Sequence, residues 1–376
     1  MLRGEHHLER HLHSSSRAAV RAIILRRVPR LIQRLPEGPL DVIGDVHGEL
    51  EALLALFGRL GVDPDACTAT RPLVFVGDLV DRGPDSVGVV DVVARLCEAG
   101  LAHAVLGNHE LNLLAGDRKE GNGWFEGRDD DLAQFDGESR PFASRHATSN
   151  ERDRIRSFLA ERPLALERDD LRIVHACWSD DAVRRLPLEG DAASLAAEWQ
   201  KTIDDDLTAR GLRARATEER RAFAWLKDQH VRPTRHLAAV AEVDAVRQGG
   251  NPVKLLTSGA EVMVPPGDHF FVGGKWRFVT RDAWWRRPVD RPTIVGHYWR
   301  RRGAAIEGKR AVWDDVPPFA WSGNVFCVDY SVGRRYLERF RGRDRDFVGG
   351  LAALRWPERT LVFDDSPTPV ATAPGS

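Results

Sequence analysis

The stretch PLDVIGDVHGELEALLALFGRLG, residues 39–61, sets the reading of the whole chain. It opens on LDVI, an apolar run of the right length for a buried strand. It closes on LEALLALF, whose apolar residues recur at helical spacing until Gly61 stops them. Between the two lies GDVHGE, with Asp45 and His47 one residue apart where strand gives way to helix. Taken alone, Asp45 fits a helix N-cap, so the pair gains meaning only beside the two later strand ends.

The same rhythm comes twice more. PLVFVGDLVDRG (72–83) is a strand ending in Asp78, Asp81 and Arg82, and DSVGVVDVVARLCEAG is a helix closed by Gly100. LAHAVLGNHE (101–110) is a third strand, ending in Asn108, His109 and Glu110. The order β-α-β-α-β predicts parallel strands with crossover helices, hence an α/β fold. Such strands present their carboxyl ends at one edge, where ligands bind, so the three polar clusters converge there. Asp oxygens, His nitrogens and an Asn amide suit divalent metals such as Mn²⁺, Fe²⁺ or Zn²⁺. The set contains no thiolate, which argues against a structural zinc.

Composition narrows the class. The net charge is −1 with 30% charged residues, which argues against nucleic-acid binding driven by bulk charge. A hydrophobic content of 42% allows a sizeable core. Cys67, Cys97, Cys177 and Cys327 form no CxxC pair and read as small buried hydrophobes in a reduced compartment. The chain lacks an apolar run of about 18 residues, so no membrane span is expected. With no secretory signal evident either, the expected location is cytoplasmic. No pattern fixes an oligomeric state.

Residues 1–38 read as a basic leader. HHLERHLHSSS, with His6, His7, His11 and His13, fits a solvated tail better than a metal-binding tract, and RAAVRAIILRRVPRLIQRLP fits one or two amphipathic helices that pack on the domain or touch a membrane surface or a partner. The main domain is expected over 39–365 with two insertions. The first, 116–150, is polar and Gly-rich; its KEGNGWFEG segment fits a mobile lid or a plain surface loop. ERDRIRSFLAERP is a helix, and LALERDDLRIVHACW a hairpin turning at Asp169 and Asp170. The second insertion, 180–290, is helical over 191–247 and rich in Trp and Gly afterwards. Its Trp276, Trp284 and Trp285 fit either core or a base-stacking surface. PTIVGHYWR and NVFCVDYSVG are short buried strands, LAALRWPERTLVFDD is a last hairpin, and 366–376 is a disordered tail.

Five pieces of this pattern, GDVHGELEAL, GDLVDRGPDS, GNHE, RIVHACW and TIVGHYW, resemble in order and spacing the motifs of the calcineurin-like metallophosphoesterases. The branch they resemble most holds the phosphoprotein phosphatases and the bacterial diadenosine tetraphosphatases. The resemblance spans residues 41–298 and implies a four-layer α/β/β/α sandwich, here with a helical, Trp-rich cap insertion. It implies two divalent metal ions, Mn²⁺ first among the candidates, with Fe²⁺/Fe³⁺ or Zn²⁺ behind it. Asp45 and His47 would hold the first ion, Asp78 would bridge, and Asn108, His175 and His297 would complete the second. A metal-bridging hydroxide would attack phosphorus, His109 would protonate the leaving oxygen with Asp81 orienting it, and Arg82 would grip the phosphate. The implied activity is hydrolysis of phosphate esters or anhydrides. The substrate is a phosphorylated small molecule, a nucleotide (a dinucleoside polyphosphate among them) or a phosphoprotein carrying phosphoserine or phosphothreonine. The remote alternative is a non-catalytic metal-binding scaffold. The chain departs from the phosphoprotein phosphatases it resembles, which usually have Gly after this His, where His175 is followed by Ala176 and Cys177. Arg300, Arg301 and Arg302 fit either a second phosphate grip or a solvated turn.

Overall fold

Each apolar run becomes a short strand, and the strands gather into two sheets stacked face to face. A computed structural model of the chain describes residues 28–135, 138–223, 226–272, 274–303 and 312–374. The first sheet has the order Ser366–Ala371, Thr360–Phe363, Ala352–Trp356, Leu40–Ile43, Leu73–Phe75, Ala102–Ala104. Its last three strands are parallel, with Val42 beside Val74 and Val74 beside His103. Helices Leu50–Leu60 and Ser86–Glu98 carry their crossovers. The second sheet runs Ile32–Arg34, Ala165–Arg168, Leu171–Val174, Thr293–Val295, Val325–Cys327. The expected hairpin at Asp169–Asp170 is present, since Ala165–Arg168 and Leu171–Val174 pair antiparallel.

Side-chain alternation along each strand makes the layers. Leu40, Val42, Val74 and Val76 of the first sheet share one apolar layer with Leu166, Leu171, Ile173 and Ile294 of the second. The opposite faces supply Ile43, Leu73 and Phe75 from one sheet and Val174, Val295 and Val325 from the other. These join helix residues such as Leu53, Phe57, Val89, Val93 and Leu256. Strands buried on both faces read as unbroken apolar runs, which is why the sequence showed them clearly. The layer order is helix, sheet, sheet, helix, the sandwich expected.

The boundaries differ from the expected ones at both ends. Residues 1–27 of the leader lie outside the described residues. Within the rest, Ile32–Arg34 is no helix: it is a strand paired in parallel with Ala165–Arg168, and Leu31 and Leu35 on either side of it are buried. Pro29 and Pro36 bracket this segment and disfavour a helix through it. The expected disordered tail is also a strand, Ser366–Ala371, antiparallel to Thr360–Phe363. Its two prolines are tolerated because it is the outermost strand of its sheet.

The second insertion is helical as expected. Ala192–Ala209, Leu212–Ala222 and Ala238–Gly249 pack together around Leu207, Leu237 and Phe278. Asp191 caps the first of these helices by accepting from Ser194 N–H. Trp284 and Trp285 are buried, and Trp285 stacks on Trp313 with ring centroids 4.6 Å apart. Trp276 packs edge-on to His269 and Phe271 inside the insertion. Trp284 and Trp285 therefore build core, while Trp276 packs half-buried against the core of the insertion.

Candidate metal centre

All the predicted site residues sit past the carboxyl ends of strands, and backbone hydrogen bonds lace their loops together. The N–H groups of Val46 and His47 both donate to the Asp78 carbonyl at 2.9 Å, and Gly83 N–H donates to the His47 carbonyl at 2.9 Å. Across the second sheet, Gly296 N–H donates to the His175 carbonyl at 2.8 Å. The approach is close enough to require glycine at two points. A Cβ on Gly107 would collide with the Asp78 carboxylate, and one on Gly296 with that of Asp45.

The backbone is strained at the same place. His47, Asp78, Asp81, Arg82, His297 and Trp299 all have φ between 49° and 75°. Left-handed backbone costs a non-glycine residue roughly 1–2 kcal/mol. It persists where the surroundings over-determine it, and such positions gather at functional sites.

Asp78 is the hub. Its Oδ1 accepts from the His109 N–H at 3.0 Å. Its Oδ2 faces three imidazoles, 3.8 Å from His47 Nε2, 3.8 Å from His109 Nε2 and 3.3 Å from His175 Nε2. Each of those rings is oriented through its other nitrogen. His47 Nδ1 lies 3.1 Å from the Val80 carbonyl, His175 Nδ1 2.8 Å from the Val76 carbonyl, and His109 Nδ1 2.6 Å from Asp81 Oδ2. Facing an acceptor, Nδ1 carries the hydrogen, so Nε2 of His47 and of His175 turns its lone pair inward. Asp45 lies 3.8 Å from His47 Nε2, and both its oxygens accept from the His297 N–H.

Charge is unbalanced here in a telling way. Burial works to raise the Asp78 carboxyl, yet His175, His109 and His47 outweigh it and hold it well below the usual carboxylate range. Burial, then the neighbouring Asp329, pushes Asp45 well above that range. Burial also lowers His47, with Arg82 and His109 adding to it, and lowers His297, with Arg281 adding. His175 goes the other way: against burial, the Asp78, Asp45 and Glu110 charges push it up to about 10. The buried carboxylates thus call for a positive charge among them.

A divalent cation would supply that charge, and the donors fit one. Asn108 Oδ1 and His175 Nε2 are buried with no hydrogen-bond partner, a costly state that a metal ion would relieve. Two groups have their ligating atoms within 4.8 Å of one another: His47, Asp78 and His109, and Asp78, His175 and His297. The second holds three of the four ligands expected for the second metal, Asp78, His175 and His297. The first places His109, expected as the acid, beside His47 and Asp78.

Two carboxylates contribute more than sequence reading gave them. Glu110 Oε2 accepts from the Asp78 and Gly107 N–H groups at 2.9 Å each, and Oε1 from Leu79 N–H at 2.8 Å. Burial, then the Asp78 charge, pushes its carboxyl up to about 7, and the Gly107 N–H opposes them. Glu110→Gln puts an amide NH₂ against at least one buried N–H. At about 1–3 kcal/mol for one unsatisfied group, Tm is expected to fall by about 1–4 °C in a thermal melt of a chain this long; an unchanged Tm would contradict this account of Glu110. Asp329, past the strand Val325–Cys327, accepts from Trp299 N–H at 2.7 Å and Ser331 N–H at 2.8 Å. The signal was present, since VFCVD repeats the strand-then-Asp pattern of LDVIGD.

Arg82 lies at the same edge, its Nη1 2.8 Å from His47 Nε2 and its guanidinium 4.7 Å from the Trp299 ring centroid. The three arginines after His297 belong to the fold. Arg300 is buried and donates to the Pro317 and Cys327 carbonyls, Arg301 pairs with Asp314, and Arg302 makes two hydrogen bonds to Asp365.

Parts of the chain resemble known proteins. Residues 38–238, just over half of the chain, match the family model of the calcineurin-like phosphoesterases. A symmetrical bis(5'-nucleosyl)-tetraphosphatase of Ralstonia nicotianae is 49% identical over 77 residues, 20% of this chain and 25% of that protein. One from Janthinobacterium sp. is 34% identical over 165 residues, 42% of this chain and 52% of that protein. The chain thus spans a quarter to about half the length of these curated relatives. Among solved structures, a cold-active protein-tyrosine phosphatase of a psychrophilic Shewanella aligns with a TM-score of 0.42 at 17% identity, over 91% of this chain and 83% of that one.

Proposed function

The chain belongs to the calcineurin-like phosphoesterases, and on that premise we propose that it is a hydrolase of phosphate esters or anhydrides working with two divalent metal ions. The observation that carries the reading is the Asp78 carboxylate, with Oδ1 fixed by a backbone N–H and Oδ2 set among three imidazoles. Asp45, His47 and Asp78 would hold one ion; Asp78, Asn108, His175 and His297 would hold the other. When bound, the ions polarise the phosphoryl oxygens and acidify water. Manganese is the first ion to test, because the donors are oxygen and imidazole without thiolate.

The remaining chemistry belongs to the chain. His109 hands a proton to the leaving oxygen, with Asp81 at 2.6 Å orienting its ring. Arg82 offers a planar fork to two phosphate oxygens. In Arg82→Ala, KM for a phosphate monoester is expected to rise about 10- to 100-fold, with kcat changed less; an unchanged KM would remove Arg82 from that role.

Dinucleoside polyphosphates are the proposed substrate class, supported by the names of the relatives that share the motif region. The proposed domain runs from Leu31 to the strand Ser366–Ala371, with the helices of 192–258 as its cap. The proposed location is cytoplasmic, supported by four cysteines without a disulfide. No helix among the described residues is long and apolar enough to cross a membrane. A substrate panel with added Mn²⁺ tests the substrate class: diadenosine polyphosphates, mononucleotides, p-nitrophenyl phosphate, its bis ester and a phosphopeptide. Preferred turnover of the diadenosine compounds is expected; preferred turnover of the phosphopeptide would reassign the chain to the phosphoprotein phosphatases.

A further inference from the structure

The KEGNGWFEG segment, 119–127, reads in the sequence as a mobile lid or a plain surface loop, but it is built as a fixed support behind the catalytic pair. Its Trp124 is only 2% exposed and donates its indole N–H to Asp81 Oδ1 at 2.8 Å. The other oxygen of that carboxylate, Oδ2, lies 2.6 Å from His109 Nδ1. The segment is pinned on both sides. Asp131 accepts from Gly121 and Gly123 N–H, Gly121 accepts at its carbonyl from Arg82 N–H at 3.0 Å, and Ala147 N–H donates to the Trp124 carbonyl at 2.9 Å.

We propose that Trp124 is a positioning residue for proton donation, locking the Asp81 carboxylate so that its free oxygen holds His109 toward the leaving group. An indole N–H can only donate, so this bond has one direction whatever the histidine tautomer. A carboxylate held through one oxygen alone can turn about its terminal torsion, which has broad preferences. With both oxygens engaged, its plane is fixed, and so is the imidazole it carries. The proton passes from His109 Nε2 to the leaving oxygen, which keeps the electron pair of the broken P–O bond. The inference rests on His109 as the acid.

The test compares leaving groups. p-Nitrophenolate departs without a proton, whereas the alkoxide of glycerol 2-phosphate needs one. In Trp124→Phe, the ratio of kcat/KM for glycerol 2-phosphate to that for p-nitrophenyl phosphate is expected to fall about tenfold, the effect of one hydrogen bond to a charged group. Asp81→Asn should shift the ratio the same way, and the double variant should add little. Bound manganese per chain should stay at the wild-type value in all three. A Trp124→Phe loss that is equal on both substrates, or absent, would overturn the proposal. His109→Ala separates this from failure of the underlying reading: if His109→Ala does not shift the ratio either, His109 is not the acid. A second measurement needs no change at Trp124. In NMR spectra of Asp81→Asn, one indole N–H resonance should move strongly from its wild-type position; if none moves, the Trp124–Asp81 bond is absent.

Discussion

Asp78→Asn is expected to remove turnover, by at least about 10³-fold, and to lower bound metal at both positions. The reason lies in how the carboxylate is shared. Oδ1 is held by the His109 N–H, and Oδ2 is the oxygen that faces His47, His109 and His175. The Asn amide can keep the first contact, so the loop retains its anchor and the fold should survive. It cannot keep the second, because the amide lacks the negative charge. Losing about 4 kcal/mol of transition-state stabilisation from a paired-metal clamp corresponds to about 10³-fold in rate. Steady-state kinetics beside metal analysis of the same sample checks both halves. A variant that keeps its metal and half its turnover would contradict Asp78 as the hub.

His109→Ala carries the second largest expected effect, a fall in kcat of about 10²–10⁴-fold, with metal content unchanged. The structure makes this a sharp test. His109 Nε2 is as close to Asp78 Oδ2 as His47 Nε2 is, and its ligating atom groups with theirs within 4.8 Å. Geometry alone would allow it to be a ligand. Its partner argues for the acid: His109 is the one ring of the three oriented by a carboxylate, Asp81, whereas His47 and His175 turn Nδ1 to backbone carbonyls. Held by that carboxylate, the ring presents Nε2 in one fixed direction, as a group that passes a proton to a leaving oxygen must. If His109→Ala loses metal along with activity, His109 joins the ligands and the acid must be sought elsewhere.

The sequence reading reached the site because each strand is buried on both faces and ends abruptly in polar residues. Apolar runs such as LDVI and LVF leave little choice of structure, and the clusters after them stand out. It failed where the signal is weak for a physical reason. Ile32–Arg34 and Ser366–Ala371 are both outermost strands of their sheets, so their residues are less buried and tolerate charge or proline. Trp124 was hidden by its surroundings. Gly, Asn and charged residues flank it because the segment turns tightly and hydrogen-bonds to itself through Asn122 and Asp131. Glu110 was seen only as part of a cluster, since its function of accepting from three backbone N–H groups depends on the return of a loop 31 and 32 residues earlier. Asp329 was missed although its local pattern repeats that of Asp45, because no His, Asn or second Asp follows it to mark it as a ligand cluster.

The most direct test of the central claim is a titration of metal-stripped protein with Mn²⁺, following bound metal and turnover of a phosphate ester together. Two ions per chain, with turnover rising as the second binds, is the predicted result. Turnover that is complete with one ion or none would contradict the two-metal account.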